Sequence, residues 1–124
     1  MTDATKTYAD LIRAIESRAR EITGGRVKLA ESLGFSTHRS LASSLEPGGL
    51  ALDTLLKIVE VAQASAKDRD DLIYAHIRWK LSRTPEGKVA LAVIDKSERQ
   101  VPADAVANFR AWVVRHFLDD FMGS

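Results

Sequence analysis

Thr37, His38, Arg39, Ser40, Ser43 and Ser44 form the cluster in this sequence whose residue types and spacing best suit a chemical task. All six carry hydrogen-bonding side chains, most of them short, and on a helix they lie on or beside its outward face. Such a face fits the major groove of duplex DNA. Arg pairs bidentately with guanine, and Ser and Thr bond several base edges or phosphate oxygens. Bulky acids, which repel phosphate, are missing there, and Glu46 lies only at the far end. Arg26 and Lys28 fall at the start of a preceding helix, where cations hold phosphates and fix a docking angle. The candidate DNA contacts are therefore Arg26, Lys28, Ser36, Thr37, His38, Arg39, Ser40 and Ser43.

Positioning that face requires several helices. The spacing predicts one from Arg26 to Leu33, with Val27, Ala30 and Leu33 as its apolar stripe and Gly34 as the left-handed residue that ends it. Phe35 then enters the core. Ser36 or Thr37 caps a second helix that buries Leu41 and Leu45, and Glu46-Pro47-Gly48-Gly49 stops it. Upstream, Tyr8, Leu11, Ile12, Ile15, Ala19 and Ile22 recur at helical spacing after a Thr7 cap, and Gly24-Gly25 closes that helix. Downstream, Leu52, Leu55, Leu56, Val59 and Ala62 mark a fourth helix. Ser65 with Asp68 reads as a capping box opening a fifth through Leu72, Ile73, Ile77 and Leu81.

The segment from Gly25 to Ala64 resembles the lambda-repressor-like, or Xre-type, helix-turn-helix family, within it the regulators of phage and of toxin–antitoxin operons. Leu29-Ala30 and Leu33-Gly34-Phe35-Ser36 stand at the family's "L-A…l-G-v-s" signature, and Leu52-Asp53-Thr54-Leu55-Leu56-Lys57 resembles its following "s-l-x-T-L-L-K" helix. Arg26 falls where the family usually carries a phosphate-contacting Gln. Leu41 and Leu45 come about one residue later after the turn glycine than the family pattern has them, which leaves two adjacent registers for the base-reading residues. Gly24-Gly25 replaces the usual Ser or Thr cap. The resemblance implies a five-helix DNA-binding domain, over residues 5–83, whose second motif helix reads base edges.

Beyond it, residues 84–124 read as a dimerisation extension. Thr84-Pro85-Glu86 suits a helix start, a cap followed by Pro and an acid, while Val89 to Ile94 also suits a short strand near 88–94; helix is the favoured reading. After Pro102, Val106, Phe109, Val113, Phe117 and Phe121 mark a final amphipathic helix flanked by Trp112 and His116. That is more apolar surface than an add-on to a finished domain buries, so a symmetric partner is expected. The fold class is all-α or mostly α.

Composition agrees with these readings. At 124 residues with 45% hydrophobic and 28% charged content, the chain suits a compact domain with an appendage. Its net charge of +1 is not that of an indiscriminate nucleic-acid coat. Basic residues instead concentrate locally, at Arg18, Arg20, Arg26, Lys28 and Arg39, which favours site-selective binding. There is no cysteine and only three scattered histidines, so no metal site and no cofactor are expected. Asp70-Asp71 and Asp119-Asp120 are adjacent pairs that diverge by about 100° on a helix and cannot share a substrate. No phosphate loop, HExxH pair or GxSxG elbow is present, and no enzyme is expected. His76, His116, Trp79 and Trp112 read as packing or interface residues. Without a membrane-length apolar run or a signal peptide, the expectation is a cytoplasmic protein that stays off membranes. Its expected function is a sequence-specific transcriptional regulator binding double-stranded DNA as a homodimer. The alternative is an interaction module, such as an antitoxin or phage accessory protein, that binds a protein partner.

Overall fold

The structure is a computed structural model and describes residues 4–123. Among the described residues it is all-α, with seven helices and no strand: α1 (Ala4–Thr23), α2 (Arg26–Ser32), α3 (His38–Ser43), α4 (Leu52–Val61), α5 (Ala66–Leu81), α6 (Pro85–Glu98) and α7 (Ala103–Gly123). No described helix is long and apolar enough to cross a membrane.

The segment expected to be helix or strand is helix α6. Thr84 caps it, its side-chain oxygen accepting the Gly87 N–H at 2.9 Å, and Pro85 occupies the first turn, where its missing N–H costs nothing. Leu91 and Ile94, three residues apart, then turn partly inward as helical spacing requires.

Packing separates the chain into two compact units, one running to Leu72 and one starting at Ile73. The division by contact thus falls inside α5, eleven residues before the expected limit between Arg83 and Thr84. The reason is burial around the whole helix: the five consecutive residues Leu72 to His76 are all buried, which is more than one full turn.

In the first unit α1 packs on α2 and, most extensively, on α4, and α2 packs on α3. Tyr8, Ile12, Ile15 and Ala19 of α1 meet a core that includes Leu29, Ala30, Leu41, Leu52, Leu55, Ile58 and Val59. Ile22, expected to complete the α1 stripe, is exposed in the last turn of the helix. Ile58 was outside the expected face of α4 and is 1% exposed. Glu16, buried, is met by Arg20 one turn later at 2.8 Å, which compensates its charge. The capping box of α5 is half formed. The Asp68 N–H donates to Ser65 Oγ at 3.1 Å, while the Asp68 carboxylate turns to Arg18 at 3.9 Å.

In the second unit a polar network ties α5 to α6 and α7. Glu98 accepts from the Tyr74 hydroxyl at 3.1 Å and from Arg110 at 3.3 and 2.8 Å, and the Arg110 guanidinium lies 5.0 Å over the Tyr74 ring. Arg78 meets Asp95 at 2.9 Å. The Arg110 hydrogen bonds hold the Glu98 carboxyl below its ordinary range, and burial raises the Tyr74 phenol. His76 sits between Trp79 and Phe117, with ring centroids 6.0 and 5.9 Å away. Burial, aided by Lys80, lowers its pKa from the ordinary 6.5.

These shifts give the second unit a definite response to acid. A group whose folded pKa is depressed binds its proton first in the unfolded chain, so its stabilisation is lost as pH falls. The His76 contribution is complete above about pH 6.5 and declines below it; that of Glu98 declines only below about pH 4.5. Urea midpoints should therefore fall between pH 7.5 and 5.5, and His76→Phe should flatten that interval while leaving the lower one intact. An unchanged slope in the variant would assign the loss elsewhere.

The final helix keeps part of its expected face, with Val106, Val113 and Phe117 half-buried. Val114, not anticipated, is 3% exposed, while Phe109 and Phe121 are 37% and 46% exposed. A long helix with apolar residues on several sides offers more than one phase, and in the one adopted Arg110 reaches Glu98 at 2.8 Å.

Candidate nucleic-acid interface

The turn between α2 and α3 is built from backbone bonds that the sequence dictates. At the end of α2 the Phe35 N–H donates to the Ala30 carbonyl at 2.9 Å and the Gly34 N–H to that of Glu31 at 3.1 Å. This paired pattern needs a left-handed residue at its corner, and Gly34 provides it with φ 81. At the other end of α2, Gly25 precedes the first turn without a side-chain cap, as its lack of a side chain requires.

α2 buries Leu29 and Ala30, with Leu33 half-buried. Val27, placed by the sequence on the inward stripe, is 55% exposed. A helix of seven residues makes under two turns, so its pattern alone leaves the phase open, and the packing against α1 and α3 sets it. Val27 instead lines an open groove with Ala30, Glu31, Phe35, Ser36, Thr37, His38 and Arg39, about 420 Å³ in volume. Phe35 is thus half-buried at the groove floor rather than fully inside.

α3 is shorter than expected, ending at Ser43. The Ser43 and Ser44 hydroxyls both donate to the Ser40 carbonyl, at 3.1 and 2.8 Å, and the chain tightens as the Ser44 N–H donates to Leu41 O at 3.0 Å. Serines that bond back to the backbone compete with helix continuation. Leu41 is buried and Leu45, beyond the helix, is half-buried.

The eight candidate contacts divide by how their side chains are used. Thr37 is the cap of α3: its Oγ1 accepts the Ser40 N–H at 3.1 Å and lies 2.9 Å from Ser40 Oγ. Ser40 and Ser43 are likewise engaged within the helix. Ser36, His38 and Arg39 are exposed, and their side chains meet no partner among the described residues. Arg26 is exposed in the first turn of α2. Lys28, also exposed, lies with its stem across Gly24. Ser36 to Arg39 share the groove; Arg26 and Lys28 do not line it. Glu31, which the sequence sets only against the local basic residues, lines the same groove as Arg39 and brings an acid to the candidate face.

No protein-family model, curated protein or solved structure matches the chain.

His116 and Trp112, read from the sequence as packing or interface residues, stand on the exposed face of α7, with ring centroids 4.5 Å apart. Trp79 and His76 are buried. The paired acids Asp70 and Asp71 are half-exposed and meet Arg69 and Lys67 at 3.1 and 2.9 Å, which is the behaviour of surface charge.

Proposed function

We propose that this protein is a sequence-selective DNA-binding regulator of the lambda-repressor-like type, in which α1 to α5 form the binding domain, α3 enters the major groove and a second copy completes the site. The observation that carries this reading is the outward face of α3 and its approach, where Ser36, His38 and Arg39 stand exposed without partners just after a glycine-cornered turn from α2. Unengaged donors at the start of a short capped helix suit base edges, and Arg39 suits guanine. Thr37 holds the helix start. Arg26 is free to meet phosphate, and Glu31 in the same groove disfavours a wrongly seated phosphate backbone by like-charge repulsion.

The test is selection of bound fragments from a random DNA pool, followed by salt titration on the enriched sequence. Arg39→Ala should cost about 1 to 3 kcal/mol on that sequence and relax preference at one position. Arg26→Ala should weaken all sequences alike and lower the salt slope by about one unit. No enrichment, or equal weakening of all sequences by Arg39→Ala, would overturn the reading.

A second reading, a protein-interaction module, is favoured by the exposed Phe109 and Trp112 on α7. It requires an association that persists at high salt, since burial of apolar surface is not screened.

A further inference from the structure

We propose that the outer face of α6 is a self-complementary docking surface for the α6 of a second copy of this chain, laid antiparallel across a twofold axis level with Leu91. The inference deepens the dimeric part of the reading above, on which it rests, and uses none of the DNA contacts.

α6 is apolar on two sides. Inward it sets Gly87, buried, and the half-buried Leu91 and Ile94, with Asp95 and Glu98 tied to Arg78 and Arg110. Outward it carries Val89 and Val93, 65% and 60% exposed, flanked by Glu86 and Lys96. A second apolar stripe, opposite the one that meets the chain's own core, is a surface that a partner can cover. Steps of three, four and three residues place Glu86, Val89, Val93 and Lys96 along a single stripe.

The order of that stripe selects the occupant. Val89 and Val93 lie two positions either side of Leu91, and Glu86 and Lys96 five positions either side. Reversing the helix about Leu91 therefore exchanges valine for valine and acid for base. In an antiparallel pair Val89 meets Val93 of the partner subunit, and Glu86 meets Lys96 of the partner subunit, each contact occurring twice, as an isologous interface demands. Ala90 and Ala92, one position either side of the same centre, let the axes approach to the lower end of the usual roughly 8–10 Å. Neither Glu86 nor Lys96 has an ion-pair partner among the described residues of its own chain. A parallel pair would set Glu86 against Glu86 and Lys96 against Lys96. The contact is small, in the class of transient interfaces, so its Kd belongs in the micromolar range.

Charge reversal tests this without DNA. Sedimentation equilibrium of the full chain, from about 10 to about 500 μM, should show a monomer–dimer exchange in the range expected for small interfaces. Glu86→Lys alone and Lys96→Glu alone should each weaken it by at least about tenfold, since two attractive pairs become two repulsive ones. The double variant should recover the parental constant, and an equimolar mixture of the two single variants should form a heterodimer. Val89→Asp should leave a monomer with parental helical circular dichroism, because the residue it replaces is exposed. A parental chain monomeric at the highest concentration, or single reversals that dimerise as the parent does, would overturn the proposal. A chain that follows the charge pattern but enriches no DNA overturns the regulator reading and leaves this interface standing.

Discussion

Gly87→Ala is expected to unfold the second compact unit at a urea concentration that leaves the parent folded. Gly87 is buried in the first turn of α6, and a methyl group there would overlap the carbonyl of Leu81 at the end of α5. That neighbour is backbone, so no side-chain rotation relieves the overlap. Relief requires moving the α5–α6 turn, which would pull Thr84 from the Gly87 N–H it accepts and disturb the Glu98 and Asp95 pairs beyond it. Overpacking of this kind costs about 3 kcal/mol or more. Gly34→Ala serves as control: Gly34 has φ 81 but open space where the methyl would go, so backbone strain alone acts, at ~1 kcal/mol. Equal urea midpoints for Gly87→Ala and the parent would show that α5 and α6 do not approach so closely.

A chain ending at Arg83 is expected to retain the first unit and lose the second half of α5. Read as a sequence, residues 5–83 close their own core. Tyr74, however, bonds Glu98 and lies under Arg110, and His76 meets Phe117, all beyond that limit. Removing α6 and α7 would return the Tyr74, His76 and Trp79 side chains to water, each large apolar group forfeiting about 2 to 3 kcal/mol of burial. Amide hydrogen exchange decides the point. Residues 73–81 should exchange rapidly in the shortened chain while α1 and α4 stay protected. Undiminished protection over 73–81 would restore Arg83 as an autonomous limit.

What could be read from the sequence was whatever is determined locally. The turn at Gly34 was legible because a left-handed corner admits few residues, and the starts of α3 and α6 were legible because Thr37 and Thr84 each sit three residues before the N–H they accept. α1 and α4 announced most of their inner faces through repeated spacing, Ile22 and Ile58 excepted. Phase was lost where a helix is short or apolar on several sides, so Val27 was placed inward and Val114 was overlooked. Contacts between distant residues left no periodic trace: the bonding of Glu98 to Tyr74 spans 24 positions. The same holds for Gly87, whose approach to the Leu81 carbonyl leaves no periodic trace. At the candidate interface the residue types were legible, whereas the division into engaged hydroxyls and free donors depended on how tightly α3 ends.

The pairing of α1 with α4 sets an order of events during synthesis. α1 carries Tyr8, Ile12 and Ile15, and its most extensive packing is against a helix that is complete only at Val61. At translation rates of roughly 5 to 20 residues per second, α4 follows α1 by roughly 2 to 8 s, far longer than the microseconds a helix needs to form. For that interval the nascent chain presents an amphipathic helix with an uncovered aromatic and aliphatic face. Chaperones that grasp such faces would meet this protein at its first helix, and crowding of ribosomes on one message would bring several of these faces together before any of them could close.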